Sequence, residues 1–190
     1  MQSFSKNFID RECYPKSSDI QDRCVSMIAR LFHAPISEGS TGVSTVGVSE
    51  AVMLSLLALK LRWKDKRRKQ CKWSDKPNVI MSSASSMHWA MATQALEVEQ
   101  KWNYCVGDEF TADPEEIVAM ADENTIGICC TLGTSFTGEY ENVKRVNELL
   151  EEKGSDVPIH VDADSGGFVA PFIVPDLVWD FRRFRAEHGV

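Results

Sequence analysis

Short segments with strand character alternate along this chain with longer segments in which apolar residues recur at helical spacing. The strand-like segments are residues 78–82, 125–132 and 158–161, which are largely apolar, and the extended segment 98–106; the helical ones include 49–63, 87–96 and 140–153. Strands that alternate with helices of this length are typical of βαβ units, whose strands are parallel. The order of the elements therefore predicts an α/β fold with a mainly parallel sheet.

Local signals place several helix ends. Ser18 and Asp19 can cap a helix that continues to Phe32. The helix over residues 49–63 is apolar on most faces, which predicts that it is largely buried. The basic run that follows, residues 64–72, is interpreted as a solvated helix end, with binding of an anionic partner as the alternative. Residues 113–116 (DPEE) predict a helix start with an acidic cap and a proline in the first position.

Composition restricts the class of protein. The chain has 190 residues, 43% hydrophobic and 26% charged, as expected for one globular domain. Its net charge of −7 argues against a nucleic-acid partner, and no stretch reaches the roughly 18 apolar residues of a membrane span. The first ten residues have no apolar core, so no signal peptide is predicted. Cys129 and Cys130 are adjacent in an apolar segment, which favours reduced core thiols over disulfides or metal ligands. We therefore expect a cytoplasmic protein.

An acidic residue stands where the last strand should end. Asp162 follows the 158–161 segment and precedes a glycine pair, Gly166 and Gly167. Ligands of open α/β sheets bind at the carboxyl ends of strands, and glycines permit positive φ and a close approach of backbone to a ligand. A strand followed by an ordinary polar turn is the alternative. His160, inside the strand, is interpreted as a core histidine.

Two further loops lie at strand ends or helix starts. Residues 44–50 combine Gly47 and Ser49 before a long helix, which is typical of an anion-binding helix start, although an ordinary serine cap explains the pattern as well. Residues 131–139 place hydroxyl side chains between two glycines after a buried strand. A phosphate cradle, a hydroxyl loop and a strand-end acid together suit a phosphorylated cofactor with a ring nitrogen, such as pyridoxal phosphate (PLP).

Five separated motifs resemble glutamate decarboxylases, which are group II PLP-dependent decarboxylases. They are TVGVSE at 45–50, DENTIG at 122–127, GTSFTGEY at 133–140, HVDADSGGF at 160–168, and APF at 170–172 followed by WDFR at 179–182. The resemblance runs from Asn7 to Arg182 and is fungal-like in character. It implies that residues 1–182 form an incomplete large domain of the aspartate-aminotransferase type (fold type I PLP enzymes), with residues 183–190 as an unmatched tail.

The resemblance also implies roles for individual residues. Asp162 would pair with the pyridine nitrogen of PLP, and the segment Gly47, Val48 and Ser49 would hold its phosphate. Ser135 stands where the family has a threonine that contacts the cofactor. Asn7 and Asp10 match positions near the distal carboxylate of the substrate, and Trp89 matches a tryptophan in the helix over the cofactor.

Several positions depart from the family pattern. Val48 replaces a phosphate-binding serine, Ser86 stands where the family has a glutamine over the ring, and Asp164 replaces an alanine that packs on the ring. His88 would substitute for that glutamine only if the helix register slipped by two residues. No lysine of this sequence lies at the position of the family's Schiff-base lysine, so no catalytic residue is assigned and we expect little or no activity from this chain alone.

The implied parent activity is PLP-dependent conversion of L-glutamate to 4-aminobutanoate and CO₂. Two alternatives remain. The first is a catalytically inactive interaction module that binds a full-length homologous subunit. The second is a decarboxylase of another acidic or sulfinic amino acid, which the retained Asn7 and Asp10 do not exclude. The expected partners are glutamate and a homologous subunit, without nucleic acid or membrane.

Overall fold

A computed structural model describes residues 12–35, 42–105, 107 and 110–182 of the chain. Asn7, Asp10 and the predicted tail, residues 183–190, lie outside the described residues. The chain divides into two compact units, one formed by residues 1–45 with 180–190 and the other by residues 46–179. Each unit is described by itself below.

The first unit contains helix α1, Pro15–Leu31. Tyr14 is its N-cap, and no side chain caps it. The predicted cap at Ser18 and Asp19 is wrong, because Pro15 already has a φ suited to the first helical turn and Ser18 is buried within the helix. After the helix, His33 Nδ1 lies 2.9 Å from Asp180 Oδ2, which ties the two segments of this unit together.

The second unit begins with a long helix and then alternates strands with helices. Its elements are α2 (Val48–Lys69), β1 (Asn78–Ser82), α3 (Met87–Ala95), β2 (Glu99–Asn103), α4 (Pro114–Ala119), β3 (Thr125–Thr131), α5 (Val143–Glu152), β4 (Ile159–Asp162) and α6 (Ala170–Ile173). A short 3-10 helix, Gly166–Phe168, precedes α6. All four predicted strands are present within a few residues of their expected bounds.

The four strands form one sheet in the order β2-β1-β3-β4. Every pairing is parallel, as predicted. The two central strands are buried along their whole length, as strands covered on both faces usually are. Because the strands are parallel, the ends of β1, β3 and β4 lie at the same edge, and Asp162 pairs in register with Thr131.

One core lies between the sheet and the helices α2 and α3. It joins α2 residues Val52, Leu56 and Trp63, the β1 and β3 residues Val79, Met81, Ile126 and Cys129, and Trp89 and Ala92 of α3. Cys129 and Cys130 are both buried and free, which agrees with their interpretation as core thiols. Burial raises the pKa of both thiols, so neither is reactive as a thiolate.

Helix α2 differs from its prediction in length and burial. It continues through the basic run to Lys69, where Asp65 forms ion pairs with Arg68 and Lys69, which supports the interpretation as a helix end. The prediction of burial on most faces is wrong, since Leu54 is 40% exposed and Leu61 57% exposed. The covered faces of α2 are those toward the sheet and toward α3.

Two other helix starts show how side chains set element bounds. Asp113 caps α4 by accepting a hydrogen bond from Glu116 N at 3.1 Å, as predicted. Helix α5 begins three residues later than expected, because Tyr140 pairs with Leu132 in an isolated antiparallel bridge. Asn142 then caps α5 from outside, accepting from Arg145 N at 3.0 Å. Within the described residues, no helix combines the length and apolar character needed to cross a membrane.

Candidate functional site

The carboxylate of Asp162 is held by a buried tryptophan. Trp89 Nε1 donates a hydrogen bond of 2.9 Å to Asp162 Oδ2. Trp89 is a residue of α3 and is fully buried in the core, whereas Asp162 is half-buried at the end of β4. A buried indole N–H requires an acceptor, and this carboxylate provides it. The hydrogen bond therefore orients the strand-end acid that the sequence singled out.

His160 completes this cluster from the same face of β4. Residues two apart on a strand share a face, and the imidazole of His160 packs edge-on against the indole of Trp89, with ring centroids 5.0 Å apart at 65°. Burial lowers the pKa of His160, and the charge of Asp162 partly opposes this. The geometry agrees with a core histidine that supports the tryptophan.

The loop after β4 packs directly on the loop after β3. Gly166 N donates to the carbonyl of Leu132 at 3.0 Å, and a Cβ on Gly166 would lie 2.1 Å from that oxygen. Gly133, at φ +99°, would place a Cβ 2.8 Å from Ser165 Oγ. Gly166 and Gly167 do not adopt the positive φ that glycine permits, since neither is among the residues with positive φ. The close approach that requires glycine is between two protein loops.

The hydroxyl loop, residues 131–139, is internally bonded and anchored by a buried acid. Glu141 accepts hydrogen bonds from Thr131 N at 2.7 Å and from Ala112 N at 3.2 Å. Glu141 is 4% exposed; burial raises its pKa, and these two donors oppose the rise. Ser135 lies on the exposed part of this loop. Sequence reasoning missed Glu141, because a single acid before a helix is an ordinary surface pattern.

The start of α2 is open, as an anion cradle requires. Its N-cap is Gly47, and among the described residues no side chain caps it and none lies within 4 Å of a Cβ built on Gly47. The alternative interpretation of Ser49 as an ordinary cap is wrong, because Ser49 is the second helical residue. Its Oγ atom lies 2.9 Å from His88 Nδ1 of α3 instead. Val48, the first residue of α2, is half-buried.

The first turn of α3 links the cradle to Asp162. Ser86 caps α3, with its Oγ accepting from His88 N at 3.3 Å. The side chain of His88 reaches Ser49, and the side chain of the next residue, Trp89, reaches Asp162. No register slip places His88 at the position of Ser86. Helix α3 instead contacts two of the three predicted loops, the one at the start of α2 and the one that carries Asp162.

A contact between two hydroxyl groups brings the third loop, which follows β3, close to the start of α3. Ser85 Oγ, which precedes α3, lies 3.5 Å from Thr131 Oγ1 at the end of β3. The site thus combines the starts of α2 and α3 with the ends of β3 and β4, all within one unit. Asp164 is exposed beside it.

The sequence and the fold both match known proteins. The family described as "Pyridoxal-dependent decarboxylase conserved domain" matches residues 1–187. A glutamate decarboxylase of Petunia hybrida is 48% identical over 188 residues, which are 96% of this chain and 38% of that protein. A glutamate decarboxylase of Aliivibrio fischeri is 44% identical over 190 residues, with 98% and 41% covered. The chain thus spans about two fifths of the length of these relatives.

Solved structures agree on the fold. A glutamate decarboxylase of Lactobacillus brevis superposes with a TM-score of 0.90 at 35% identity, covering 95% of this chain and 42% of that one. A sphingosine-1-phosphate lyase of Burkholderia pseudomallei superposes at 0.76 with 19% identity, which bears on the fold alone. The predicted α/β fold of the PLP enzymes is confirmed, and the fungal-like character stays a prediction. The chain belongs to the pyridoxal-dependent decarboxylase family.

Proposed function

We propose that the protein carrying this chain is a PLP-dependent decarboxylase that converts L-glutamate to 4-aminobutanoate and CO₂. The observation that carries the proposal is the Asp162 carboxylate, held by Trp89 at a strand end beside an open helix start. Identities of 44–48% to glutamate decarboxylases support glutamate as the substrate.

The donor set fits the cofactor of the family. Asp162 is an anion suited to a protonated ring nitrogen, because an opposite charge nearby favours the charged form of that nitrogen. The start of α2 offers backbone N–H groups and the Ser49 hydroxyl, which suit a phosphate. The chemistry that PLP supplies when bound is an electron sink for the pair left behind when CO₂ departs.

The residues of this chain have distinct tasks in the proposed site. Trp89 fixes one oxygen of Asp162 and leaves the other to face the ring nitrogen. Gly47, Val48 and Ser49 hold the phosphate, and Ser135 contacts the cofactor from the hydroxyl loop. The resemblance implies that Ser86 and Asp164 contact the ring and that Asn7 and Asp10 contact the distal carboxylate of the substrate.

A catalytic lysine is not among the residues to which we assign a role. The lysine side chains with described hydrogen bonds contact other places: Lys60 reaches Leu96 O, Lys66 reaches Asp156, Lys101 reaches Asp122 and Lys153 reaches Val118 O. We propose that residues 1–182 supply the cofactor-binding part of a large domain, and that this segment alone releases little or no CO₂ from glutamate.

The test is decarboxylation of glutamate by the whole protein, followed as 4-aminobutanoate formed. Asp162→Asn should lower kcat by about 100-fold or more, because it removes the charge that keeps the ring nitrogen protonated. Asp176→Asn, the same change at an exposed turn residue, is the matched control and should leave kcat unchanged. Equal activity of Asp162→Asn and the control would refute the proposal. Turnover of a sulfinic amino acid in preference to glutamate would support the substrate alternative.

A homologous subunit is the second element of the proposal. Phe168, Phe172 and Ile173 follow the Asp162 loop and are 60–70% exposed. Apolar surface of this kind usually marks a contact with another protein surface, so we propose that a homologous subunit covers it in a cytoplasmic oligomer. Co-purification of a longer homologue with a chain that releases no CO₂ would favour the interaction-module alternative.

A further inference from the structure

Helices α2 and α3 begin close together, and a side-chain hydrogen bond joins their first turns. Ser49 is the second residue of α2, and His88 is the second residue of α3. Ser49 Oγ and His88 Nδ1 are 2.9 Å apart. Ser49 is exposed and His88 is half-buried, so this polar pair is accessible from solvent.

Either tautomer of His88 leaves this pair with one hydrogen-bond donor to offer. If Nδ1 accepts from the Ser49 hydroxyl, the imidazole proton is on Nε2, which can donate to a ligand. If Nδ1 donates to Ser49 Oγ, the proton of the serine hydroxyl is available instead. The Ser49 hydroxyl is in the first turn of α2, where the first backbone N–H groups have no intrahelical partner, and no side chain of the described residues caps this helix.

The backbone dipoles of the two first turns also favour an anion, whereas the carboxylate of Glu50 opposes one. Both helices have eight residues or more, and each has a positive dipole end at its start. Glu50 is the acidic residue in the first turn of α2, and its Oε2 atom accepts a 2.6 Å hydrogen bond from Val46 N. Helix α3 has no acidic residue in its first turn.

We propose that Ser49 and His88 together recognise the phosphate of the cofactor, with His88 selecting a phosphate monoester over the unphosphorylated ring. The inference rests on the proposed function, since the phosphate is that of PLP. Val48 has no hydroxyl at the first position of α2, so the additional donor comes from the neighbouring helix.

The experiment compares the affinities of the whole protein, freed of cofactor, for PLP and for pyridoxal, measured by calorimetry. His88→Phe keeps a ring but removes both nitrogens, and it should weaken PLP about 10-fold to 100-fold while leaving pyridoxal unaffected. Inorganic phosphate should compete with PLP in the wild type more strongly than in His88→Phe. Gln94→Ala, at an exposed residue of the same helix, is the control and should change neither affinity.

A second variant distinguishes a specific loss of phosphate binding from a general loss of folding. His88→Gln retains a side chain that both accepts and donates, so it should recover part of the PLP affinity lost in His88→Phe. Equal weakening of PLP and pyridoxal by His88→Phe, or no weakening of either, would overturn the inference. A wild type that binds neither compound would overturn both this inference and the proposed function. Phosphate-dependent binding without release of 4-aminobutanoate from glutamate would support the His88 inference and refute the activity alone.

Discussion

The hydrogen bond from Trp89 to Asp162 can be tested by a substitution that leaves most of the ring in place. Trp89→Phe removes the indole N–H, which lies 2.9 Å from Asp162 Oδ2, and retains an aromatic side chain in the core. Trp89 is fully buried and Asp162 is half-buried, so water replaces the lost contact only in part, at the carboxylate. We therefore expect a lower free energy of unfolding even without cofactor.

The expected loss has two parts. A hydrogen bond to a charged group contributes about 1.5–3 kcal/mol, and because Asp162 is half-buried we expect the lower end of that range. Replacing the indole with a smaller ring leaves a partial cavity, which costs about 1–2 kcal/mol more. The total for Trp89→Phe is then about 2.5–3.5 kcal/mol.

A double-mutant cycle separates these two parts. Urea unfolding, followed by circular dichroism, is measured for wild type, Trp89→Phe, Asp162→Ala and the double variant, all free of cofactor. The cavity contribution is nearly the same with and without Asp162, so it cancels in the cycle. The coupling free energy should be about 1.5 kcal/mol. A coupling below about 0.5 kcal/mol would mean that the indole does not hold the carboxylate.

Three further perturbations test the fold around the site. Gly166→Ala places a Cβ 2.1 Å from the carbonyl oxygen of Leu132. Because that oxygen belongs to the backbone and cannot move aside without displacing the chain, we expect the free energy of unfolding to fall by about 3 kcal/mol or more; an unchanged melting temperature would contradict this. Asp113→Ala removes the cap of α4 and should cost about 1 kcal/mol in urea unfolding, whereas Asp113→Ser should cost much less. Burial raises the pKa of Asp122, but hydrogen bonds that include one from Lys101 outweigh it and bring the pKa to about 2. Because the pKa of Asp122 in the folded chain is below the unfolded value of about 3.9, the ionised carboxylate stabilises the fold above pH 4. This contribution is about 1 kcal/mol after solvent screening, and it is lost as the pH falls from 4 to 2. Asp122→Asn should therefore reduce the stability at pH 7 but not at pH 2; an equal difference at both values would refute the assignment.

The strands were predictable because each has a local signal of its own. The segments at 78–82 and 125–132 have mostly apolar or β-branched residues, and both are fully buried central strands. Helix bounds that depend on contacts distant in sequence were not predictable. Helix α2 extends to Lys69, where Lys66 pairs with Asp156 and Arg67 with Glu123; both acids lie far along the chain.

The candidate site was only partly accessible to sequence reasoning. The position of Asp162 at a strand end follows from the apolar run before it. The partners of Asp162 and Ser49 depend on how α3 packs against β4 and α2, and no local pattern encodes that packing. The sequence indicates no role for His88 beyond its nearness to Ser86, because its hydrogen bond to Ser49 depends on the placement of both helix starts.

Consecutive residues of one short helix, His88 and Trp89, contact the two places where opposite ends of a cofactor would be held. A rotation of α3 about its own axis would displace both side chains in concert, so the backbone position of this helix sets the geometry of both contacts. The packing of Ala92 and Thr93, one turn further along and almost completely buried, consequently sets the alignment of the whole site. Enlarging either residue should disturb phosphate and ring recognition together, although neither side chain has a described contact with the cradle or with Asp162.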